Sequence, residues 1–322
     1  MDFDTGSSDF WVFSTLLPSS ESAGHTLYNA SASKHSSLES GETWSINYGD
    51  GSGASGVIYS DRVVLAGVTA TSQAVEAATS VSSAFTSDTQ NDGLVGLAFD
   101  GLNTASPSKV PTFFQTVQKS LFEPVFASAL RHNAAGTYDF GWIDPSKYTG
   151  KITYTPVSNS SGYWEITANG YAVGSGATVS ESLTSIVDTG TTLIYMPDDL
   201  LNAYYSQVNG SSDSSDAGGW IFPCDATLPD ISFEIGSKEF TVPGSYINYS
   251  PYTDDTCYGG MQSSDGFPFN VLGDVFIKSQ YIVWAPTVPQ MGFAAPSRWT
   301  KILLAADGVV VVDDEEGYGS LM

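Results

Sequence analysis

Asp4 and Asp188 each open an Asp-Thr-Gly triplet, Asp4-Thr5-Gly6 and Asp188-Thr189-Gly190, and small hydroxyl residues follow both, Ser7-Ser8 and Thr191-Thr192. Phe3 precedes the first triplet and Ile186-Val187 the second. An apolar stretch that breaks into Asp-Thr-Gly reads as a buried strand delivering a carboxylate into a tight turn. Glycine lets backbone approach backbone, and the hydroxyls can donate hydrogen bonds to a carboxylate from the side. A single strand ending in Asp-x-Gly is only a turn. Two matched copies point to a pair of carboxylates that share one proton and activate a water by acid–base chemistry.

The duplication reaches further. About ninety residues beyond Asp4 lies Gly93-Leu94-Val95-Gly96-Leu97-Ala98-Phe99, and a similar distance separates Asp188 from Asn270-Val271-Leu272-Gly273-Asp274-Val275-Phe276. So long a period implies two lobes built alike, not a solenoid, with one aspartate from each meeting at a pseudo-twofold axis. Strands dominate the pattern. Residues 43–48 alternate, break at Gly49-Asp50-Gly51-Ser52-Gly53 and resume at 57–59, which makes a β-hairpin with a glycine-rich tip. Gly51-x-Gly53-x-x-Gly56 matches the dinucleotide fingerprint formally, but a strand follows where that motif needs a helix. Helices are expected only at 112–121, 125–131 and 198–208, the last after Pro197. Residues 146–161 read as the connection between lobes and 210–219 as a polar surface loop. The fold class is all-β.

Composition bounds the partners. The 322 residues carry 35 Asp plus Glu against 11 Lys plus Arg, a net charge of −24, which repels nucleic acid and anionic membranes. Such a chain suits an acidic medium, where its self-repulsion falls, or gains solubility from its charge. With 41% hydrophobic and 13% aromatic residues it is ordered over most of its length, and it has no apolar run of membrane-spanning length. The two cysteines, Cys224 and Cys257, are too few for a disulfide scaffold and lack a zinc spacing. They are either a free pair or one bridge closing a loop of 33 residues, worth roughly 3–4 kcal/mol. His25, His35 and His132 sit in polar sequence and read as solvated surface residues, and no metal site is expected. No Gly-x-Ser-x-Gly elbow offers a serine nucleophile. A glycosidase is the best rival for two carboxylates, but its acids do not arrive on duplicated Asp-Thr-Gly turns.

The chain resembles the pepsin-like aspartic proteases, most closely the secreted fungal members such as aspergillopepsin and penicillopepsin. The resemblance rests on Asp4-Thr5-Gly6-Ser7-Ser8-Asp9-Phe10-Trp11-Val12, on Tyr48-Gly49-Asp50-Gly51-Ser52, on Asp188-Thr189-Gly190-Thr191-Thr192 and on the two apolar-glycine segments. It implies a bilobal fold with a cleft between two pseudo-twofold related lobes, and an aspartic endopeptidase acting at acidic pH on proteins or peptides, without cofactor or metal. Asp4 and Asp188 would be the catalytic pair. Ser7 and Thr191 would bond their outer oxygens, Thr5 and Thr189 would lock the turns across the axis, and Gly6 and Gly190 would complete them. Tyr48 would sit on a mobile flap, hydrogen-bonded by Trp11. Phe85, Leu94 and Thr192 would line the substrate cleft, and Asp50 at the flap tip would let it accept lysine as well as large apolar side chains. The resemblance favours the Cys224–Cys257 bridge, secretion or an acidic vacuole, and a monomer. Asp9 and Asp274 match structural positions, and Met196, Tyr163 and Trp164, which could reach the cleft, are read as core packing in preference to it.

The lobes are expected at 1–150 and 151–296, with an acidic, disordered extension at 297–322. The first aspartate stands at position 4, whereas about 25 residues of strand-like sequence precede Asp188. By symmetry the first lobe lacks its leading strands, and no signal peptide is present in this chain. The expectation is that the polypeptide as written is N-terminally truncated and weakly active or inactive. The alternative to an endopeptidase is a non-catalytic peptide-binding protein.

Overall fold

The computed structural model describes residues 1–297 and, beyond them, the strands Lys301–Ala305 and Gly308–Val312, which pair with each other. The rest of the extension expected to be disordered lies outside the described residues. The architecture is all-β and bilobal. Strands supply most of the regular structure and the helices are short, the longest of them Asp198–Tyr205.

The two halves repeat one strand topology. In the first, Asp2–Asp4 pairs in parallel with Gly93–Gly96, which pairs antiparallel with Phe10–Val12, itself parallel to Val68–Val81. In the second, Val179–Val187 pairs in parallel with Asn270–Leu272, which pairs antiparallel with Ile194–Met196, itself parallel to Met261–Ser263. The strands that deliver Asp4 and Asp188 therefore occupy matching places, as the repeated sequence order implied. Asp2–Asp4 is paired on one side, whereas Val179–Val187 is paired on both, its second neighbour being Glu165–Val173. The glycines after the apolar pairs are required by close approach. A Cβ on Gly96 would lie 2.6 Å from the backbone of Ser8 and Asp9, and one on Gly273 would collide with the carbonyls of Thr191 and Leu193.

Alternation places the flap. Along Ser37–Asn47 the side chains of Trp44 and Ile46 turn inward between exposed Ser45 and Asn47, and along Gly53–Leu65 Ala54 and Ile58 do the same. These residues join Trp11, Phe13 and Leu94 in one core cluster, against which Tyr48 and Phe85 pack. A larger core runs through both halves and includes Phe113, Phe126, Trp164, Phe233, Phe276 and Trp284.

Three local expectations change. Residues 125–131 form a strand, Phe126–Arg131, in a five-stranded sheet that combines first-half strands with Tyr281–Ala285 and Gln290–Pro296. Four consecutive buried residues cannot be assigned by periodicity, and burial on both faces favours the strand. Most of the expected connection at 146–161 is another strand of that sheet, Tyr148–Pro156, paired with Gln290–Pro296. His25 is also not a surface residue. Its ring stacks on Phe13 at 3.7 Å between centroids, with Nδ1 facing the Asn91 carbonyl and Asp92. The Cys224–Cys257 bridge is formed, joining the ends of two segments of one small sheet.

Candidate active site

Asp4 and Asp188 are both buried, at 3% and 8% exposure, at the floor of a cleft of about 1000 Å³ between the halves. Their surroundings are equivalent. Asp4 Oδ1 accepts from the backbone N–H of Gly6 at 2.7 Å, and its Oδ2 accepts from Ser7 Oγ at 2.5 Å. Asp188 Oδ1 accepts from the Gly190 N–H at 2.9 Å, and its Oδ2 accepts from Thr191 Oγ1 at 2.5 Å. Each carboxyl also packs on the other's turn. A Cβ on Gly6 would lie 2.5 Å from Asp188 Oδ1, and one on Gly190 would collide with Asp4 Oδ1. Only glycine leaves the two acids room to meet.

Thr5 and Thr189 hold the turns together. The Thr5 N–H donates to Thr189 Oγ1 at 3.1 Å and the Thr189 N–H to Thr5 Oγ1 at 3.0 Å. The hydroxyls donate in turn to the carbonyls of the opposite strands, Thr5 to Val187 at 3.1 Å and Thr189 to Phe3 at 2.5 Å. Burial, and after it the charge of Asp188, raises the Asp4 carboxyl well above the usual carboxylate range. The hydrogen bonds from Ser7 and Gly6 oppose that rise. A pair so arranged retains one proton where isolated carboxylates have lost theirs.

Tyr48 overhangs the cleft from the hairpin tip, where Trp11 Nε1 donates to its hydroxyl at 2.9 Å. Burial and then the nearby Asp4 charge push the phenol upward, so it stays protonated. Phe85 packs edge-on against both Trp11 and Tyr48, with centroids 4.9 and 5.7 Å away. Phe85, Leu94, Asp50 and Thr192 all line the cleft. Asp50 Oδ1 also accepts from Ser52 N at 2.9 Å and Oγ at 2.7 Å, so the same side chain closes the hairpin turn. Asp9 and Asp274 lie outside the cleft lining. Asp9 accepts from Thr104, and Asp274 pairs with Lys278 at 3.3 Å.

Several lining residues escaped the sequence reading. Tyr163 faces the cleft, whereas Trp164 is buried with Nε1 donating to the Leu97 carbonyl and Met196 is buried. The second half contributes Tyr195, Phe267 and Phe269, with Tyr195 on Phe267 and Tyr163 on Phe269 at 4.9 Å each. The first half contributes Asp88 and Asn91. The repeat held a signal for these. Asp88 and Asn91 come just before Gly93–Gly96, as Phe267 and Phe269 come just before Asn270–Leu272, so both cleft edges lead into the same strand of the repeat.

The duplicated turns and the cleft between two like lobes define an aspartic protease. A family model of the eukaryotic aspartyl proteases matches residues 1–296, and the chain belongs to that family. It is 54% identical over 295 residues to aspergillopepsin-1 of Aspergillus pseudoglaucus, covering 92% of this chain and 75% of that one. It is 53% identical over 296 residues to penicillopepsin-3 of Penicillium janthinellum, covering 91% and 74%. It is 53% identical over 299 residues to the aspartic protease pepA of Leptosphaeria maculans, covering 91% and 72%. The protein is thus a pepsin-like aspartic endopeptidase of the fungal type.

Proposed function

We propose that Asp4 and Asp188 are the catalytic pair of this endopeptidase and that they act through one water held between them. The ionised partner draws a proton from the water while the protonated partner polarises the peptide carbonyl; the resulting diol collapses as the amide nitrogen takes a proton. Aspartic proteases as a class act through such a proton-sharing pair. The observation that carries it here is the matched donor set of the two carboxyls, each packed on the glycine of the other's turn.

Ser7, Thr191, Gly6 and Gly190 hold the carboxyls in orientation, and Thr5 and Thr189 fix their separation. Tyr48, steadied by Trp11, closes over the bound peptide and excludes water. Phe85 and Leu94 receive a large apolar side chain, and Asp50, whose Oδ1 closes the turn, lets the same pocket take lysine. Thr192 contributes to the opposite wall. The lobes divide at 1–150 and 151–296. The enzyme works as a monomer on unfolded proteins or peptides, outside the cell or in an acidic vacuole. Among the described residues no helix is long and apolar enough to cross a membrane.

The test is hydrolysis of a quenched peptide near pH 4 by the chain and by Asp188→Asn. The expected loss is about 10⁴-fold or more in kcat, with peptide binding retained. Activity that survives the substitution excludes the paired-acid mechanism. A lysine-for-leucine exchange before the cleaved bond, compared in Asp50→Ser, separates the Asp50 role from its turn.

A further inference from the structure

Four Asn-x-Ser triplets run through the chain, at Asn29-Ala30-Ser31, Asn159-Ser160-Ser161, Asn209-Gly210-Ser211 and Asn248-Tyr249-Ser250, and the hydrolytic chemistry uses none of these asparagines. Each fits the acceptor pattern for an N-linked oligosaccharide, with a hydroxyl two residues on and no proline between. The pattern alone says only that the unfolded chain can be modified. Whether the finished fold can carry the sugar depends on where each side-chain nitrogen ends up, because the group is bulky and has to stand in solvent.

Asn29, Asn159 and Asn209 are placed to carry it, each exposed and between regular elements. Asn29 precedes the short turn Ala30–Ala32 and uses only its side-chain oxygen, Oδ1 accepting from Ser31 N at 3.1 Å and Ser31 Oγ at 2.7 Å. Asn159 opens a turn that the Gly162 N–H closes on its backbone carbonyl at 3.0 Å. Asn209 follows the helix Asp198–Tyr205, in a turn where the Ser211 N–H donates to the Val208 carbonyl at 3.2 Å. Among the described residues the Nδ2 atoms of these asparagines donate to no other group, so a sugar on them displaces nothing. None of them lines the cleft.

Asn248 is placed differently. It is half-buried where the helix Gly244–Ile247 runs into the strand Asn248–Pro251. Its Nδ2 donates to the Cys224 carbonyl at 3.1 Å, beside the Cys224–Cys257 bridge, so the atom that would bear the sugar is already bound within the second lobe. The strand is held to Thr256–Gly259, and the next residue, Tyr249, lines the cleft. An oligosaccharide here would push Nδ2 off the carbonyl, leave a part-buried acceptor unpaired and crowd the edge of the cleft.

We infer that Asn29, Asn159 and Asn209 are N-glycosylation sites and that Asn248, with the same motif, stays bare in the folded protein. In the transfer, Nδ2 attacks C1 of the first sugar of an oligosaccharide carried on a lipid diphosphate. The N–C1 bond forms and the C1–O bond to phosphate breaks. The lipid diphosphate leaves with that electron pair, and Nδ2 releases one proton. The sugar donor and its transferase are met on the secretory route proposed above, on which this assignment rests.

The experiment places the full chain behind a cleavable secretory leader in a yeast host, which imposes that route. N-linked sugar is released enzymatically in heavy-oxygen water, which leaves each formerly modified asparagine as a labelled aspartate for peptide mass mapping. Asn29, Asn159 and Asn209 should be labelled on most molecules, and Asn248 on none that reach the medium. Asn29→Gln, Asn159→Gln and Asn209→Gln should each lose one step of the gel shift that sugar release causes, whereas Asn248→Gln should lose none. The first three exchanges combined should leave kcat/KM within about twofold of the parent, since those residues lie outside the cleft lining. A bare asparagine at any of the three, or sugar on Asn248 in secreted chain that melts cooperatively, would overturn the inference. Chain retained in the cell is mapped in the same way. Because transfer precedes folding, bare Asn29, Asn159 or Asn209 would overturn the inference there too, and sugar on Asn248 confined to retained chain supports it. The leader fixes the route, so bare sites leave the secretory reading untouched; that reading fails on its own if the natural protein is found in the cytosol.

Discussion

Thr5 and Thr189 exchange hydrogen bonds across the pseudo-twofold axis, each backbone N–H donating to the other's Oγ1 at 3.1 and 3.0 Å. Their hydroxyls already donate to the Val187 and Phe3 carbonyls, so these groups tie the two Asp-Thr-Gly turns to each other and to the opposite strands.

Replacing Thr5 by Val keeps the shape and removes the hydroxyl. The Thr189 N–H then loses its acceptor, and Val187 loses a donor. The cost should be about 1–3 kcal/mol, seen as a lower denaturant midpoint with an unchanged slope. The catalytic rate should fall with the loosened turn, while the Michaelis constant changes less.

Ser7→Ala tests the electrostatics of the pair. The Ser7 hydroxyl bonds Asp4 Oδ2 and holds the Asp4 carboxyl below where burial alone would put it. Without it the carboxyl rises further and holds the shared proton to higher pH, so the alkaline limb of kcat/KM should move upward. A profile measured from pH 2 to 7 would show that shift, and an unmoved alkaline limb would mean the Ser7 bond does not tune the pair.

Trp11→Phe removes the 2.9 Å bond to the Tyr48 hydroxyl while keeping the core filled. The flap then loses one of its fixed contacts, and kcat should fall about tenfold. Stopped-flow binding of a peptide inhibitor should show slower closure.

Asp274 should oppose stability at neutral pH. Burial pushes its carboxyl up to about 6, although Lys278 partly offsets this. A raised carboxyl favours the folded chain below the ordinary Asp range, and that benefit is lost as pH rises to about 6. Asp274→Asn should therefore gain on the order of 2 kcal/mol at pH 7 and nothing at pH 4, as read by thermal melts at the two pH values.

Residues that act through the chain's duplication were legible in the sequence. The paired Asp-Thr-Gly turns and the matched apolar-glycine strands follow from local patterns that repeat, and the structure sets them in equivalent places, while the flap hairpin follows from its own alternation. What stayed hidden depends on long-range pairing. Phe126–Arg131 looks like a short helix until Tyr281–Ala285 covers it, and Tyr148–Pro156 looks like a linker until Gln290–Pro296 pairs with it. Tyr163 differs from its buried neighbour Trp164 only in which side of the chain meets the cleft, and composition does not state that. His25 sits in polar sequence, yet its ring is buried because Phe13 and Asp92 come to it from elsewhere in the chain.

The central claim is that two acids, one per lobe, work as a single proton-sharing unit. Its most direct test is kcat/KM for a quenched peptide from pH 2 to 7 in the parent chain and in Asp4→Asn. The parent should give a bell with two apparent pKa values belonging to the pair, and the variant should collapse to background at every pH. Hydrolysis that stays flat to pH 7, or a variant that keeps the parent's bell, would contradict it.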